Sequence, residues 1–266
     1  MLTLTYFVAF YSLIYVLATS SELEKKIQTF IRDGDASTLG MLFFKSDPTE
    51  LKELVNREIC GELTPLQYAS KTNPTTIALL LEAGAIPNLA HRSTSTTPLM
   101  FAARSGELRA IDALLNVLSV DDVNAIDEHG SSALGLGSLG CNIKVAQKLI
   151  DAGANIYTID QSGNTVLHIA AWYCADRGSE VGREYVSVLL KDSNGHIRKE
   201  ASQRIDRLSN SGRTALMLAG KQGSTGVYDM LVSVGASMDV VSPHDGKTAP
   251  ELRKEWESRQ QQEKEF

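Results

Sequence analysis

The chain has 266 residues, of which 43% are hydrophobic and 22% charged, a balance typical of globular proteins and unlike that of disordered or collagen-like chains. Its 26 basic and 32 acidic residues give a net charge of −6. This disfavours general nucleic-acid binding, because phosphate contacts need a concentrated basic surface. Three cysteines are too few for a disulfide scaffold, and length alone predicts about two domains.

The N-terminal 20 residues carry no charged side chain. Their apolar run, residues 2–18, is at the lower limit of about 17 residues for a membrane-spanning helix. Small residues at Ala18 and Ser20 suit a cleavage site, so we expect residues 1–20 to be a signal peptide and the protein to be secreted or periplasmic. A signal anchor is the alternative, in which Lys25 and Lys26 would hold the body of the protein in the cytosol. A buried helix is the third possibility.

Residues 21–61 are expected to form an N-terminal helical cap. Gly34 and Asp35 lie between a predicted helix end and a second helix over residues 36–44. Pro48 is suited to the first turn of a helix, so a further helical stretch is predicted over residues 49–59. Such a unit would provide the polar end that a stack of repeats requires.

Residues 62–250 contain a repeated pattern. Five tripeptides begin with Thr or Ser and end with Leu, and their middle positions are 33, 35, 33 and 49 residues apart. They are Thr64-Pro65-Leu66, Thr97-Pro98-Leu99, Ser132-Ala133-Leu134, Thr165-Val166-Leu167 and Thr214-Ala215-Leu216. Thr or Ser caps a helix start, Pro fits its first turn, and the Gly that follows a later apolar pair in most units ends a second helix. Each unit is therefore predicted to be a helical hairpin that buries its apolar side by stacking on its neighbours.

This pattern resembles the ankyrin repeat. The resemblance implies an all-α solenoid of stacked helix-turn-helix units with short β-hairpin loops, which replaces the expectation of two domains. It also implies a non-catalytic module that is monomeric, needs no cofactor or metal, and binds a protein partner through a concave face. The histidine of the family signature is present only at His168, where the resemblance implies a hydrogen bond to the backbone of the turn.

The longest interval between repeats holds an insertion near residues 191–207. Ile197, Ala201 and Ile205 recur at helical spacing, which predicts a short amphipathic helix. The insertion is either a tolerated surface addition or an element that contacts the partner. Residues 251–266 are expected to form a charged tail, either a solvated helix or a frayed end.

Two features test the non-catalytic interpretation. Residues 135–140 match the G-x-G-x-x-G dinucleotide motif, with Asp160 further on, so a nucleotide-binding enzyme is the alternative function. That motif needs a strand before its first glycine, whereas the repeat pattern places these glycines inside a helix. The cysteines at 60, 141 and 174 are expected to be small buried residues, and the sequence does not indicate which pair, if any, would join.

The resemblance also predicts the partner-binding residues. In ankyrin repeats these lie at the exposed end of the first helix, seven or eight residues after the Thr or Ser, and at the hairpin tips. The predicted residues are Lys71, Arg104, Leu139, Trp172, Tyr173 and Lys221 on the helices and His129 and Gln161 at the tips. Trp, Tyr and Arg are enriched at binding hot spots. The alternative is that the insertion covers Trp172 and Tyr173 and makes them part of the core.

Overall fold

The fold is that of a computed structural model, which describes residues 20–264. The predicted signal peptide lies outside the described residues, apart from Ser20. Among residues 20–264, no helix combines the length and the apolar composition that a membrane crossing requires. The described part of the chain is mostly helical and comprises two compact units, one that ends at Leu89 and one that begins at Ala90. The boundary predicted between residues 61 and 62 therefore falls within the first unit.

Helices and turns form the described part of the first unit. They are α1 (Ser20–Asp33), α2 (Ala36–Lys45), α3 (Pro48–Leu54), α4 (Pro65–Thr72), a 3-10 turn (Pro74–Thr76) and α5 (Ile77–Glu82). Gly34 turns the chain between α1 and α2 in the left-handed region, at φ 71°. Asp35 then accepts a hydrogen bond from the Thr38 N–H at 3.0 Å and so caps α2.

The stretch predicted over residues 49–59 is too long, because α3 ends at Leu54. The chain then turns so that Asn56 can bridge two backbone groups of the segment after α5. Its side-chain amide donates to the Gly84 carbonyl at 2.9 Å, and its side-chain oxygen accepts from the Ile86 N–H at 2.8 Å. These hydrogen bonds join residues that are 28 and 30 positions apart, which the helical spacing of the sequence does not reveal.

The second unit repeats a pair of helices. The first helices of the pairs are α6 (Pro98–Ser105), α9 (Ala133–Ser138), α11 (Val166–Tyr173), α14 (Ala215–Gln222) and α16 (Ala249–Lys264). The second helices are α7 (Leu108–Leu115), α10 (Ile143–Asp151), α12 (Ser179–Leu190) and α15 (Thr225–Ser233), and two short helices are α8 (Val120–Val123) and α13 (Lys199–Arg204). Each first helix packs against the first helix of the next pair. The predicted all-α ankyrin fold is confirmed.

The repeated tripeptides begin the first helices, as the pattern predicted. The hydroxyls of Thr97, Ser132 and Thr214 accept hydrogen bonds from the N–H group three residues further on. The motif residues Leu99, Leu134 and Leu216 are at most 1% exposed. The capped helix start therefore fixes the direction in which each helix presents its apolar side to the core.

The loops between repeats form isolated antiparallel bridges, at Ile126–Ser132 and Ile159–Thr165. Their tips are hydrogen-bonded to one another through the backbone. The Gln161 N–H donates to the His129 carbonyl at 2.8 Å, and the Asn210 N–H donates to the Ser162 carbonyl at 2.9 Å. Neighbouring tips are thereby held in register.

The insertion folds differently from the predicted amphipathic helix. Ile197 is not on the helix: it bridges Lys191 in a small hairpin and is 42% exposed. The helix itself is only α13, and the buried residues on its side are Ala201 and Ile205. The hairpin forms because Asp192 accepts hydrogen bonds from two loop N–H groups, which helical spacing alone does not predict.

Residues 251–264 of the charged C-terminal segment belong to α16, which begins at Ala249, and the last two residues of the segment lie outside the described residues. Thr248 and Glu251 start this helix, since the Glu251 carboxylate accepts from the Thr248 N–H and hydroxyl, both at 2.8 Å. Leu252 is 4% exposed and α16 packs on α14. The segment is therefore a packed helix over its first turns.

Candidate protein-interaction surface

The first helices of the second unit present one row of equivalent residues. Arg104, Leu139, Trp172 and Lys221 each follow the capping Thr or Ser by seven residues, and Tyr173 lies next to Trp172. We call these five residues, together with the helices that carry them, the first-helix surface. Because α6, α9, α11 and α14 pack in that order, the structure brings the predicted residues of the second unit into neighbouring positions. Lys71 occupies the equivalent position on α4 of the first unit and is also exposed.

The aromatic pair is solvent-accessible. Trp172 is 43% exposed and Tyr173 is 48% exposed. The insertion does not cover them, so the alternative in which both belong to a private core is wrong. Contiguous exposed apolar surface often marks a site of interaction with another protein, which makes this pair a candidate contact.

A cavity of about 260 Å³ lies beside this pair, between α11 and α14. Ile169 and Leu218 supply apolar wall, and Trp172 and Tyr173 line the same space. Asn164 and Ser211 add polar groups. The cavity is open to solvent and smaller than the roughly 300–1,000 Å³ of small-molecule sites, so it is suited to a single side chain.

His168 secures the helix that carries the aromatic pair. Its Nδ1 accepts a hydrogen bond from the Thr165 N–H at 3.2 Å and lies 2.9 Å from the Thr165 hydroxyl, and its Nε2 donates to the Arg213 carbonyl at 3.0 Å. The predicted bond from His168 to turn backbone is therefore confirmed. Burial lowers the pKa of His168, because the charged form is penalised in the core, so the imidazole is neutral there.

A disulfide lies at the end of the same helix. Cys141 and Cys174 are buried, as expected for all three cysteines, and their sulfurs are joined. Cys174 directly follows Tyr173, the last residue of α11, and Cys141 lies three residues after Ser138, the last residue of α9. The bond therefore ties the aromatic pair to the neighbouring repeat. The sequence alone leaves the pairing of the cysteines open, and its one signal for this pair is the separation of 33 residues, one repeat length.

The predicted tip residues lie side by side. His129 and Gln161 are exposed and belong to consecutive hairpins. The Gln161 side-chain amide donates to the Glu128 carbonyl, so it already has a partner within the protein. The His129 ring lies 3.6 Å from the Glu128 carboxylate. The two tips are therefore polar, and part of their hydrogen-bonding capacity is already used within the protein.

The glycine motif does not form a nucleotide site. Gly135 and Gly137 lie inside α9, which begins at Ala133, before the first glycine. The chain enters this helix from the bridge at Ser132 and not from a strand of a sheet. The interpretation that these glycines are helical is confirmed. Within residues 20–264, no group of His, Cys, Asp and Glu side chains could hold a metal ion.

Comparison with known proteins assigns the family. The family model for ankyrin repeats (three copies) matches residues 27–127, 66–160 and 138–242, which together cover most of the chain. The chain therefore belongs to the ankyrin-repeat family. Domains of this family are typically non-catalytic modules that bind protein partners.

Two relatives show the extent of the similarity. The nuclear factor NF-kappa-B p105 subunit of Gallus gallus is 27% identical over 136 residues, 51% of this chain and 12% of the relative. The ARF GTPase-activating protein Git of Drosophila melanogaster is 36% identical over 93 residues, 34% of this chain and 12% of the relative. The chain thus matches about an eighth of the length of either protein.

Proposed function

We propose that this chain is a non-catalytic adaptor, scaffold or inhibitor that binds a protein partner through the first-helix surface. The observation that carries the proposal is the exposure of Trp172 and Tyr173 beside an open cavity. Aromatic residues with a pocket next to them dominate the energetics of protein interfaces. One relative is, by its name, a subunit of a larger factor, which supports a role in assembly.

A photo-crosslinking experiment tests this surface. A photoreactive phenylalanine analogue replaces Tyr173 in the full-length chain, and the matched control carries it at Val181 on α12, which is 37% exposed. After irradiation in an extract of the source organism, we expect a crosslinked protein from position 173 and not from position 181. Equal crosslinking from both positions would contradict the proposal.

We also propose that the protein reaches an oxidising compartment, with residues 1–20 acting as a cleaved signal peptide. The Cys141–Cys174 disulfide supports this, because such bonds persist in secreted proteins and are rare in the cytosol. N-terminal sequencing of the mature protein tests it. A start near Ser21 is expected, whereas an intact Met1 would favour the membrane-anchored adaptor that faces the cytosol.

A further inference from the structure

In four of the helix pairs of the second unit, the acidic side chains lie on the second helix of the pair. The last of the first helices, α16, is the exception, because it carries four glutamates. The first helices α6, α9, α11 and α14 contain no Asp or Glu. Each of the second helices α7, α10, α12 and α15 contains at least one. Since the whole chain has a net charge of −6, the first-helix surface is a locally basic region on an acidic protein.

Two cations of this surface lie on either side of the aromatic pair. Arg104 is on α6 and Lys221 is on α14, and neither forms an ion pair with residues 20–264. The equivalent residue of α16 is Glu255, whose carboxylate pairs with Lys247 at 2.5 Å and Arg259 at 3.7 Å. The acidic group at the end of the row is thus compensated within the protein, whereas Arg104 and Lys221 are not.

The cavity beside Trp172 indicates that a ligand of this surface also needs an apolar group. Its volume of about 260 Å³ accommodates one side chain, and its walls include Ile169 and Leu218. A ligand that matches both features needs negative charge on each side of an apolar group. Complementary charge at the rim of an interface steers association and selects partners, while a buried apolar anchor supplies affinity.

We propose, building on the proposed function, that the occupant of this surface is an acidic peptide segment of the partner. It inserts one apolar side chain into the cavity beside Trp172. Its Asp or Glu side chains pair with Arg104 and Lys221. The surface therefore selects its partner by the spacing between carboxylates and one apolar residue.

Selection from a random dodecapeptide library displayed on phage tests this chemistry on the full-length, disulfide-bonded chain. We expect the selected peptides to be richer in Asp and Glu than the unselected library and to share an apolar residue. A synthetic copy of a selected peptide should bind Trp172→Ala at least about tenfold more weakly, as for loss of a hot-spot residue. Enrichment of basic or neutral peptides, or no enrichment, would overturn the proposal.

Charge-reversal variants separate the local effect from the net charge. Arg104→Glu and Lys221→Glu should each weaken binding of the selected peptide and reduce its dependence on salt. The control Lys144→Glu makes the same change in net charge at an exposed position on the second helix α10. Equal loss in this control would also overturn the proposal.

The two proposals fail in different ways. If position 173 crosslinks a protein but the selected peptides are not acidic, only the acidic-peptide proposal is wrong. If position 173 gives no specific crosslink while acidic peptides still bind in a Trp172-dependent manner, the surface recognises this chemistry but does not serve a protein partner.

Discussion

Cys141 and Cys174 occupy equivalent positions in consecutive repeats, nine residues after Ser132 and Thr165, and they are covalently joined with their Cα atoms 5.6 Å apart. In the repeats that contain α6 and α14, this position is a left-handed glycine that ends the first helix. Cys141 adopts the same region, at φ 50°. The disulfide therefore fastens together the ends of two first helices, at the edge of the first-helix surface.

Removing this bond should destabilise the protein. For Cys141→Ser combined with Cys174→Ser, we expect the free energy of unfolding to fall by about 3–4 kcal/mol, because the unfolded chain regains the entropy of an open loop of this length. Urea denaturation followed by circular dichroism measures the difference.

Reduction of the wild-type protein provides the control for that variant. Dithiothreitol should destabilise the wild type by a similar amount and leave the double variant unchanged. Cys60 does not complicate this comparison, because burial raises the pKa of its thiol to about 12 and keeps it protonated. A wild-type protein whose stability is insensitive to reduction would show that the bond contributes nothing.

Trp172→Ala should affect binding more than folding. The side chain is 43% exposed and lies near the end of α11, so we expect the free energy of unfolding to fall by about 1 kcal/mol. Partner binding should weaken by about 2 kcal/mol or more if Trp172 is a hot spot. Calorimetric binding and urea denaturation of the same preparation distinguish the two effects, and an unfolded variant would show that Trp172 is part of the core.

The repeat and its helix starts could be predicted from the sequence because local chemistry determines them. A Thr or Ser hydroxyl satisfies free N–H groups of the helix that it begins. The Leu two residues later is buried in four of the five repeats, and Leu167 is the partly exposed exception. The position of the first-helix surface followed from counting residues after Thr165 and its equivalents.

The disulfide, the choice between an exposed and a covered aromatic pair, and the course of the insertion could not be predicted in this way. Three cysteines allow three pairings, and only the stacking of repeats brings Cys141 beside Cys174. The turn at Asp192 places Ile197 in a small hairpin with Lys191 rather than on a helix. These are long-range contacts or turn geometries that helical periodicity does not encode.

Two glycines of α9 should respond differently to alanine. A Cβ at Gly135 would lie 3.7 Å from Ile169, an ordinary contact, so Gly135→Ala should stabilise the protein by about 0.5–1 kcal/mol through helix propensity. A Cβ at Gly137 would lie 3.0 Å from Val145, which must then move. We expect Gly137→Ala to be less stable than Gly135→Ala by about 1 kcal/mol.

Thermal denaturation of both variants checks the predicted order of their stabilities. The same assay, applied to the wild type with NAD added, tests the nucleotide-binding alternative. Because Gly135 and Gly137 are packed inside a helix, NAD should not raise the melting temperature of the wild type. A reproducible rise with NAD that Gly135→Ala abolishes would contradict our account of this segment.

The stability of the protein should depend on pH through His168. Its pKa is lowered by burial, so below the ordinary value of about 6.5 the unfolded chain binds more protons than the folded one. The stabilisation by the neutral imidazole is therefore present above that pH and is lost as the pH falls further. Urea midpoints measured between pH 8 and pH 5 should show this decrease.

His168→Gln is the matched control, because Gln67 already makes the equivalent pair of hydrogen bonds at the start of α4. The Gln67 side chain accepts from the Thr64 N–H at 3.0 Å and donates to the Leu89 carbonyl at 2.8 Å. The glutamine variant should keep the cap and lose part of the pH dependence. If its urea midpoint falls with pH as steeply as that of the wild type, His168 is not the titrating group.

The backbone hydrogen bonds between hairpin tips have a consequence for engineering this protein. A Cβ at Gly130 would lie 3.2 Å from the Gln161 nitrogen, and one at Gly163 would lie 2.8 Å from the Asn210 nitrogen. The absence of a side chain at these two glycines therefore lets adjacent loops approach closely enough to form their backbone hydrogen bonds. Inserting a residue into one loop would shift its carbonyl out of reach of the next. Libraries built on this scaffold should therefore vary the side chains of the tips while keeping the loop lengths constant.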